Sequence, residues 1–150
     1  MNTIITELED LVNKYFVQLN GISEPELSLK PHPSKWSKKE IIGHLVDSAQ
    51  NNIRRFIVSQ YETQPVIIYQ QNEWVRINDY QHMDSRQLIQ LWYLLNRQIC
   101  NLLANTPLSN LQLTCQTESA RTIAWLASDY VKHLKHHMHV VLHLEEVPYP

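Results

Sequence analysis

The chain has 150 residues, 43% of them hydrophobic and 19% charged, with a formal net charge of -2 at pH 7. This balance indicates one folded domain spanning residues 1–150, argues against disorder, and offers no basic surface for nucleic acid or an anionic membrane. Only two glycines occur, which disfavours a turn-rich β fold and favours long helices. No segment has the pattern of a signal peptide or the length of a membrane span, so a cytoplasmic protein is expected.

The first two long helices are predicted from apolar spacing and from their ends. Apolar residues recur every three or four positions over 3–20, and Gly21 is expected to close this helix in the left-handed conformation. Three prolines in residues 22–35 indicate a connecting loop. Ser37 and Glu40 form a capping-box pattern that opens the second helix, whose periodicity continues to Ile57.

One edge of the second helix is polar along its whole length. Its members follow one another at three- or four-residue steps and are Glu40, His44, Ser48, Asn51 and Arg55. A histidine beside an apolar face is more often a hydrogen-bonded structural residue than a metal ligand. His44 becomes a ligand candidate only if a complementary pair lies on another helix.

The middle of the chain is predicted to contain an irregular connection and a scaffold helix. Residues 60–84 hold a short extended piece and a short helix over 72–80, and a connection of this length is typical of a lid, a binding loop or a crossover. The third long helix starts at Asp84 or Ser85 and ends by Thr106, and it carries no polar stripe. Cys100 lies within it and is expected to be a buried free thiol. Residues 107–121 are predicted to form a polar linker.

The last helix is predicted from Thr122 to about Glu146 and contains a histidine cluster. Five of the eight histidines lie within residues 129–143. His133 and His137 are one turn apart beside the apolar face, so two imidazoles there can converge on one ion. His136, His139 and His143 point away from that face and are expected to contact solvent. The alternative is a solvated histidine-rich face without a metal.

Four long helices with a long connection between the second and third predict an all-α four-helix bundle with a crossover. The candidate metal site in this bundle combines His44 with His133 and His137. Three neutral imidazoles leave one coordination position open, which is the ligand count of a catalytic rather than a closed site. Asp47 and Asp129 are candidates to accept the remaining ring protons, with a solvated carboxylate as the alternative for each.

Two segments carry a resemblance to a known family. Trp36-Ser37-Lys38-Lys39-Glu40-Ile41-Ile42-Gly43-His44-Leu45-Val46-Asp47-Ser48 and Asp129-Tyr130-Val131-Lys132-His133-Leu134-Lys135-His136-His137 resemble the DinB-like (DinB/YfiT-type) family of metalloenzymes in order and spacing. The resemblance implies a bundle of up-down-down-up type and a three-histidine site for a divalent metal, nickel or zinc. It also implies a hydrolase or a thiol S-transferase, and it is compatible with a homodimer.

The leading hypothesis is a metal-dependent enzyme that activates water or a low-molecular-weight thiol and acts on a small molecule. Glu40 is a candidate general base, although its capping role is the favoured explanation. Asn51 and Arg55 are candidates to hold an anionic group, and a surface salt bridge is the alternative. Three aromatic residues are candidates for the pocket wall or for the core: Trp36, Trp74 and Tyr80.

The alternative hypothesis is a non-catalytic metal-binding module with a structural or interaction role. A fourth protein ligand, for example His82 folded inward, would close the site and favour this hypothesis. Neither hypothesis includes nucleic acid or a membrane as a partner.

Overall fold

The computed structural model of the chain describes residues 1–149 and is built mainly of helices. The helices are α1 (Asn2–Asn20), α2 (Glu24–Ser28), α3 (Lys38–Val58), α4 (Gln71–Asn78), α5 (Ser85–Ala104) and α6 (Ile123–Val141). Two 3-10 turns span Tyr80–His82 and Leu108–Gln112. The antiparallel strands β1 (Thr114–Gln116) and β2 (Ala120–Thr122) form a short hairpin before α6.

The four long helices form the predicted bundle of up-down-down-up type, as the pairs of contacting residues show. Helices α1 and α6 are parallel, since Glu7 pairs with Lys135 and the later Tyr15 contacts the later His139. Helix α5 is antiparallel to α1, with Asn13 beside Tyr93 and Asn20 beside Arg86. Helix α3 is antiparallel to α6, with His44 beside His137 and Ser48 beside His133.

The core lies between these four helices and is continuous through the bundle. Its largest fully buried side chains include Tyr15 of α1, Phe56 of α3 and Trp92 of α5. Cys100 and Cys115 are both buried free thiols, as predicted for Cys100. Burial of this apolar surface holds α3 and α6 side by side, and that arrangement positions the polar edge of α3 against α6.

The predicted starts of α3, α5 and α6 are confirmed, and each depends on a local side-chain cap. Ser37 and Glu40 form the complete capping box of α3. The carboxylate of Asp84 accepts from the backbone N–H of Gln87 at 2.9 Å, and Thr122 caps α6 in the same way. Each cap satisfies a backbone donor that the first helical turn leaves without a partner.

Several connections differ from the prediction. The 22–35 loop contains α2, which Ser23 caps, and Gly21 is right-handed with φ -84 rather than left-handed. The 107–121 linker contains a 3-10 turn and the β hairpin, whose strands are too short to show an alternating pattern.

Helix α6 ends at Val141, five residues before the predicted end. His143 adopts the left-handed conformation with φ 53. The N–H of Leu144 donates to the carbonyl of His139, and that of His143 donates to Val140, which is the Schellman arrangement. The prediction was wrong because a histidine occupies the position where glycine usually signals a helix end.

None of the helices formed by residues 1–149 combines the length and the apolar character needed to cross a lipid bilayer.

Candidate metal centre

Three imidazoles from two helices meet at the α3–α6 contact. Nε2 of His44 lies 3.1 Å from Nε2 of His133, and the ring centroids of His133 and His137 are 4.6 Å apart. One potential ligand atom from each ring lies within 4.8 Å of the others. The antiparallel packing of α3 on α6 therefore brings together residues separated by about 90 positions in the chain.

Burial keeps these three histidines neutral. His44 is only 1% exposed, and burial together with the charge of His137 lowers its pKa from 6.5 to about 4. Burial and the neighbouring histidines lower the pKa of His133 to about 2. Burial and His136 lower the pKa of His137 to about 4. All three rings are therefore unprotonated at neutral pH, which is the state that binds metal ions.

The arrangement fits a divalent cation. Two Nε2 atoms 3.1 Å apart can share one proton in a hydrogen bond, and the same short separation suits two imidazole ligands of a single ion. Within residues 1–149, no fourth histidine, cysteine or carboxylate joins the group. The group therefore fits a metal site with an open coordination position.

Asp47 does not orient His44 as predicted. Its Oδ1 accepts from the hydroxyl of Tyr80 at 2.5 Å and from the amide of Asn78 at 3.2 Å. Its Oδ2 and the Nδ1 of His44 are both buried and have no hydrogen-bond partner among residues 1–149. Burial raises the pKa of Asp47 from 3.8 to about 6, against the opposing hydrogen bond from Tyr80.

Gly43 allows Tyr80 to reach Asp47. A Cβ atom at position 43 would lie 2.1 Å from Cδ2 and 2.2 Å from Cγ of the Tyr80 ring. Only glycine leaves room for this ring against the backbone of α3, one residue before His44. The buried Tyr80 is therefore part of the packing beneath the candidate centre.

Asp129 also has a different partner from the one predicted. Its Oδ2 accepts from the hydroxyl of Tyr149 at 3.0 Å. Nδ1 of His133 lies instead 3.4 Å from Oγ of Ser48, and no hydrogen bond joins Asp129 to His133 within residues 1–149. The partner is twenty residues away in sequence, so helical spacing could not reveal it.

The carboxylate of Glu40 is fully engaged at the start of α3. One oxygen accepts from the backbone N–H of Ser37 at 2.8 Å, and the carboxylate pairs with Lys30 at 2.9 Å. Glu40 does not line the cavity beside the histidines. The geometry therefore supports the capping role, and the general-base role of Glu40 stays a prediction.

A cavity of about 530 Å³ opens beside His133 and His137. Its walls come from α3, α6, the hairpin and the last residues of the chain, and they include Ser48, Asn52, Arg55, Tyr69, Gln71, Glu118, Arg121, Trp125, Asp129, His136 and Tyr149. Arg55 lines this cavity. Asn51 does not, because it is buried and donates to the carbonyl of Asp47 at 2.9 Å, whereas Asn52 faces the cavity.

The predicted aromatic wall is replaced by other residues. Trp36 packs on His44 with ring centroids 5.2 Å apart, Trp74 packs on Tyr69, and Tyr80 is in the core. None of these three lines the cavity, whose aromatic residues are Tyr69, Trp125, Tyr130 and Tyr149. Sequence spacing could have indicated Trp125, since it precedes Asp129, His133 and His137 at four-residue steps.

The remaining histidines lie outside the group of three. His82 is exposed and pairs with Asp79 at 2.8 Å, and His32 is exposed beside Ser34. His143 is exposed as predicted, but His136 and His139 are half-buried, because residues 144–149 fold back over them. His82 therefore does not close the site.

The fold and the site together define a helical bundle with a three-histidine centre of the metal-binding type. The chain belongs to the DinB superfamily, whose family model matches residues 7–141. The matched segment includes all three histidines and the whole of the four-helix bundle except its first few residues.

Curated relatives match nearly the whole chain. A protein of Bacillus cereus named "Putative metal-dependent hydrolase" is 28% identical over 140 residues, which are 91% of this chain and 80% of the relative. Proteins of the same description from Bacillus thuringiensis and Bacillus anthracis are 28% and 27% identical over the same share of each chain.

Two solved structures share the fold. YfiT from Bacillus subtilis, described as a probable metal-dependent hydrolase with an unusual four-helix bundle topology, superposes with a TM-score of 0.84 at 22% identity. The match covers 95% of this chain and 83% of that one. A mutant of the mycothiol-dependent maleylpyruvate isomerase superposes with a TM-score of 0.79 at 12% identity, covering 98% of this chain and 64% of that one.

Proposed function

We propose that this protein is a metal-dependent hydrolase of a small molecule, with His44, His133 and His137 as the ligands of one divalent ion. The observation that carries the proposal is the meeting of three neutral imidazoles, one buried and two half-buried, beside an open cavity. The description of the curated relatives supports the same activity.

Imidazole ligands suit nickel and zinc, and the chemistry that such an ion supplies when bound is Lewis-acid activation of a water or a thiol. The chain itself contributes a rigid ligand set, since all three rings project from long packed helices. The low pKa values of the rings remove competition from protons at neutral pH.

Arg55 is the residue that we assign to substrate binding. Its guanidinium is half-buried in the cavity wall and donates to the carbonyl of Ile67 at 3.1 Å. No carboxylate within residues 1–149 forms an ion pair with Arg55. A partly desolvated guanidinium without a counter-ion favours a carboxylate or phosphate group on the substrate.

A thiol S-transferase is the second candidate. A cavity of about 530 Å³ has the size of sites that enclose a complete small molecule, and Arg55 suits the carboxylate of a low-molecular-weight thiol. The dependence on mycothiol that is named for one structural neighbour supports this candidate, although that likeness concerns the fold alone.

A non-catalytic module would require a closed or inaccessible site. The described residues offer three ligands and not four, and the cavity leads directly to His133 and His137. These features favour an enzyme over a purely structural metal site.

The test uses protein stripped of metal and then loaded with zinc or nickel. Ester and amide substrates bearing a carboxylate are tried first, and then a thiol together with an electrophile. Hydrolysis that disappears in His133→Ala and persists in the exposed-histidine control His82→Ala is expected. Transfer without hydrolysis would establish the S-transferase instead. Bound metal without turnover of either kind would favour the non-catalytic module.

A further inference from the structure

Two histidines of the cluster on α6 lie outside the group of three and hold the returning chain instead. Nδ1 of His136 donates to the carbonyl of Val147 at 2.7 Å, and Nδ1 of His139 donates to the carbonyl of Glu145 at 2.6 Å. In the tautomer that the second bond requires, Nε2 of His139 accepts from the hydroxyl of Tyr15. These contacts account for a part of the histidine-rich stretch that the metal centre does not use.

The segment 144–149, which we term the C-terminal strap, runs antiparallel along α6. The left-handed His143 reverses the chain, and Leu144 packs against the core. Successive positions of the strap then bond to progressively earlier positions of the helix: Glu145 to His139, Val147 to His136 and Tyr149 to Asp129. The strap therefore has one register on the helix, set by three side-chain hydrogen bonds.

This register places the side chain of Tyr149 beside the candidate metal centre. Its ring centroid lies 5.2 Å from that of His133 and 5.9 Å from that of His136, and its ring lines the cavity. Its hydroxyl is directed to Asp129, which lines the same cavity. The Tyr149 ring therefore covers one side of His133, while the Tyr149 hydroxyl already has Asp129 as its hydrogen-bond partner.

We propose that Tyr149 is a specificity-determining residue, whose ring limits the size of the group that can occupy the cavity next to His133. The strap acts as the support that holds this ring in place through His136 and His139. The inference rests on the proposed function, since it concerns which ligands reach the same metal centre. Because the ring supplies the steric limit, Tyr149→Phe should preserve that limit and Tyr149→Ala should remove it.

The test compares a small and a bulky ligand on protein loaded with cobalt(II), whose visible absorption reports ligand binding. Azide is the small probe and benzenethiol the bulky one. In Tyr149→Ala, the affinity for benzenethiol relative to azide should rise about tenfold, the factor that corresponds to relief of one modest steric clash. Tyr149→Phe should retain the wild-type ratio. An unchanged or lower ratio in Tyr149→Ala would overturn the proposal.

A second measurement needs no metal. Cleavage of the strap by a glutamate-specific protease, at Glu145 or Glu146, should become at least about tenfold faster in the double variant His136→Ala/His139→Ala, because both side-chain anchors are lost. The control His82→Ala should be cleaved like the wild type. Unchanged cleavage in the double variant would refute the role of the two histidines. In the cobalt(II) experiment, absence of any cobalt spectrum in the wild type would refute the metal site of the proposed function. An unchanged ligand ratio in Tyr149→Ala would refute only the role of Tyr149, so the two failures are distinguishable.

Discussion

Replacing Gly43 by alanine is expected to destabilise the bundle, although helix propensity alone predicts the opposite. Alanine stabilises a helix interior by about 1 kcal/mol relative to glycine. At position 43, however, the new Cβ would lie 2.1 Å from the Tyr80 ring, far inside the contact distance of about 3.5–4.0 Å for two carbon atoms. The ring must move by more than an ångström, and the buried surroundings leave it little space.

The net cost follows from two losses and one gain. Overpacking of a buried ring costs about 1–3 kcal/mol, and loss of the hydrogen bond from Tyr80 to the buried Asp47 costs about 1.5–3 kcal/mol. Subtracting the propensity gain leaves a destabilisation of about 3 kcal/mol. For a chain of this size, that change lowers the melting temperature by about 10 °C.

Urea unfolding of Gly43→Ala, followed by circular dichroism, measures this cost. Gly21→Ala is the matched control, because Gly21 has an ordinary φ of -84 and its nearest neighbouring atom would lie 3.3 Å from the new Cβ. It should change stability by less than about 1 kcal/mol. In a Tyr80→Ala background, Gly43→Ala should lose its cost. A Gly43→Ala protein as stable as the wild type would refute the reasoning.

Three further predictions concern pH and the end of α6. The pKa values of His44 and His137 lie near 4 in the fold and near 6.5 when unfolded, so the unfolded chain binds more protons between these values. Metal-free protein should therefore lose stability as the pH falls through this window, on the order of 1 kcal/mol per pH unit for each ring, in urea melts at several pH values. A free energy of unfolding that does not change across this pH window would contradict the expectation. The pKa of Asp47 is raised from 3.8 to about 6, so its stabilising contribution is present below about pH 4 and lost as the pH rises. Asp47→Asn should therefore gain about 2 kcal/mol relative to the wild type between pH 4 and pH 8, and an equal difference at both would refute this. His143→Gly should raise the free energy of unfolding by about 1 kcal/mol, because glycine tolerates φ 53; a loss of stability would exclude the left-handed cap.

The features that sequence predicts well are those encoded locally. The caps at Ser37, Asp84 and Thr122 act over three residues, and apolar periodicity identifies the four long helices with their buried faces. The fold type was predicted from the family resemblance together with the layout of these helices, and the solved structure of YfiT, which shares the fold, confirms it.

The features that sequence does not predict depend on contacts between distant residues. Asn51 and Asn52 both continue the polar edge of α3 at a helical step from Ser48, and only packing decides that Asn52 faces the cavity. The partner of Asp129 arrives on a strap whose reversal depends on a left-handed histidine. No residue type or spacing in the sequence predicts that reversal of the chain.

The most direct test of the metal centre is the metal content of purified protein after dialysis against zinc or nickel and removal of free ions. Wild type and His82→Ala should each retain one ion per chain, whereas His44→Ala should retain almost none, because His44 is the proposed ligand on α3. Circular dichroism of each variant would establish that the bundle is intact. Equal metal content in folded His44→Ala and wild type would contradict a centre built across α3 and α6.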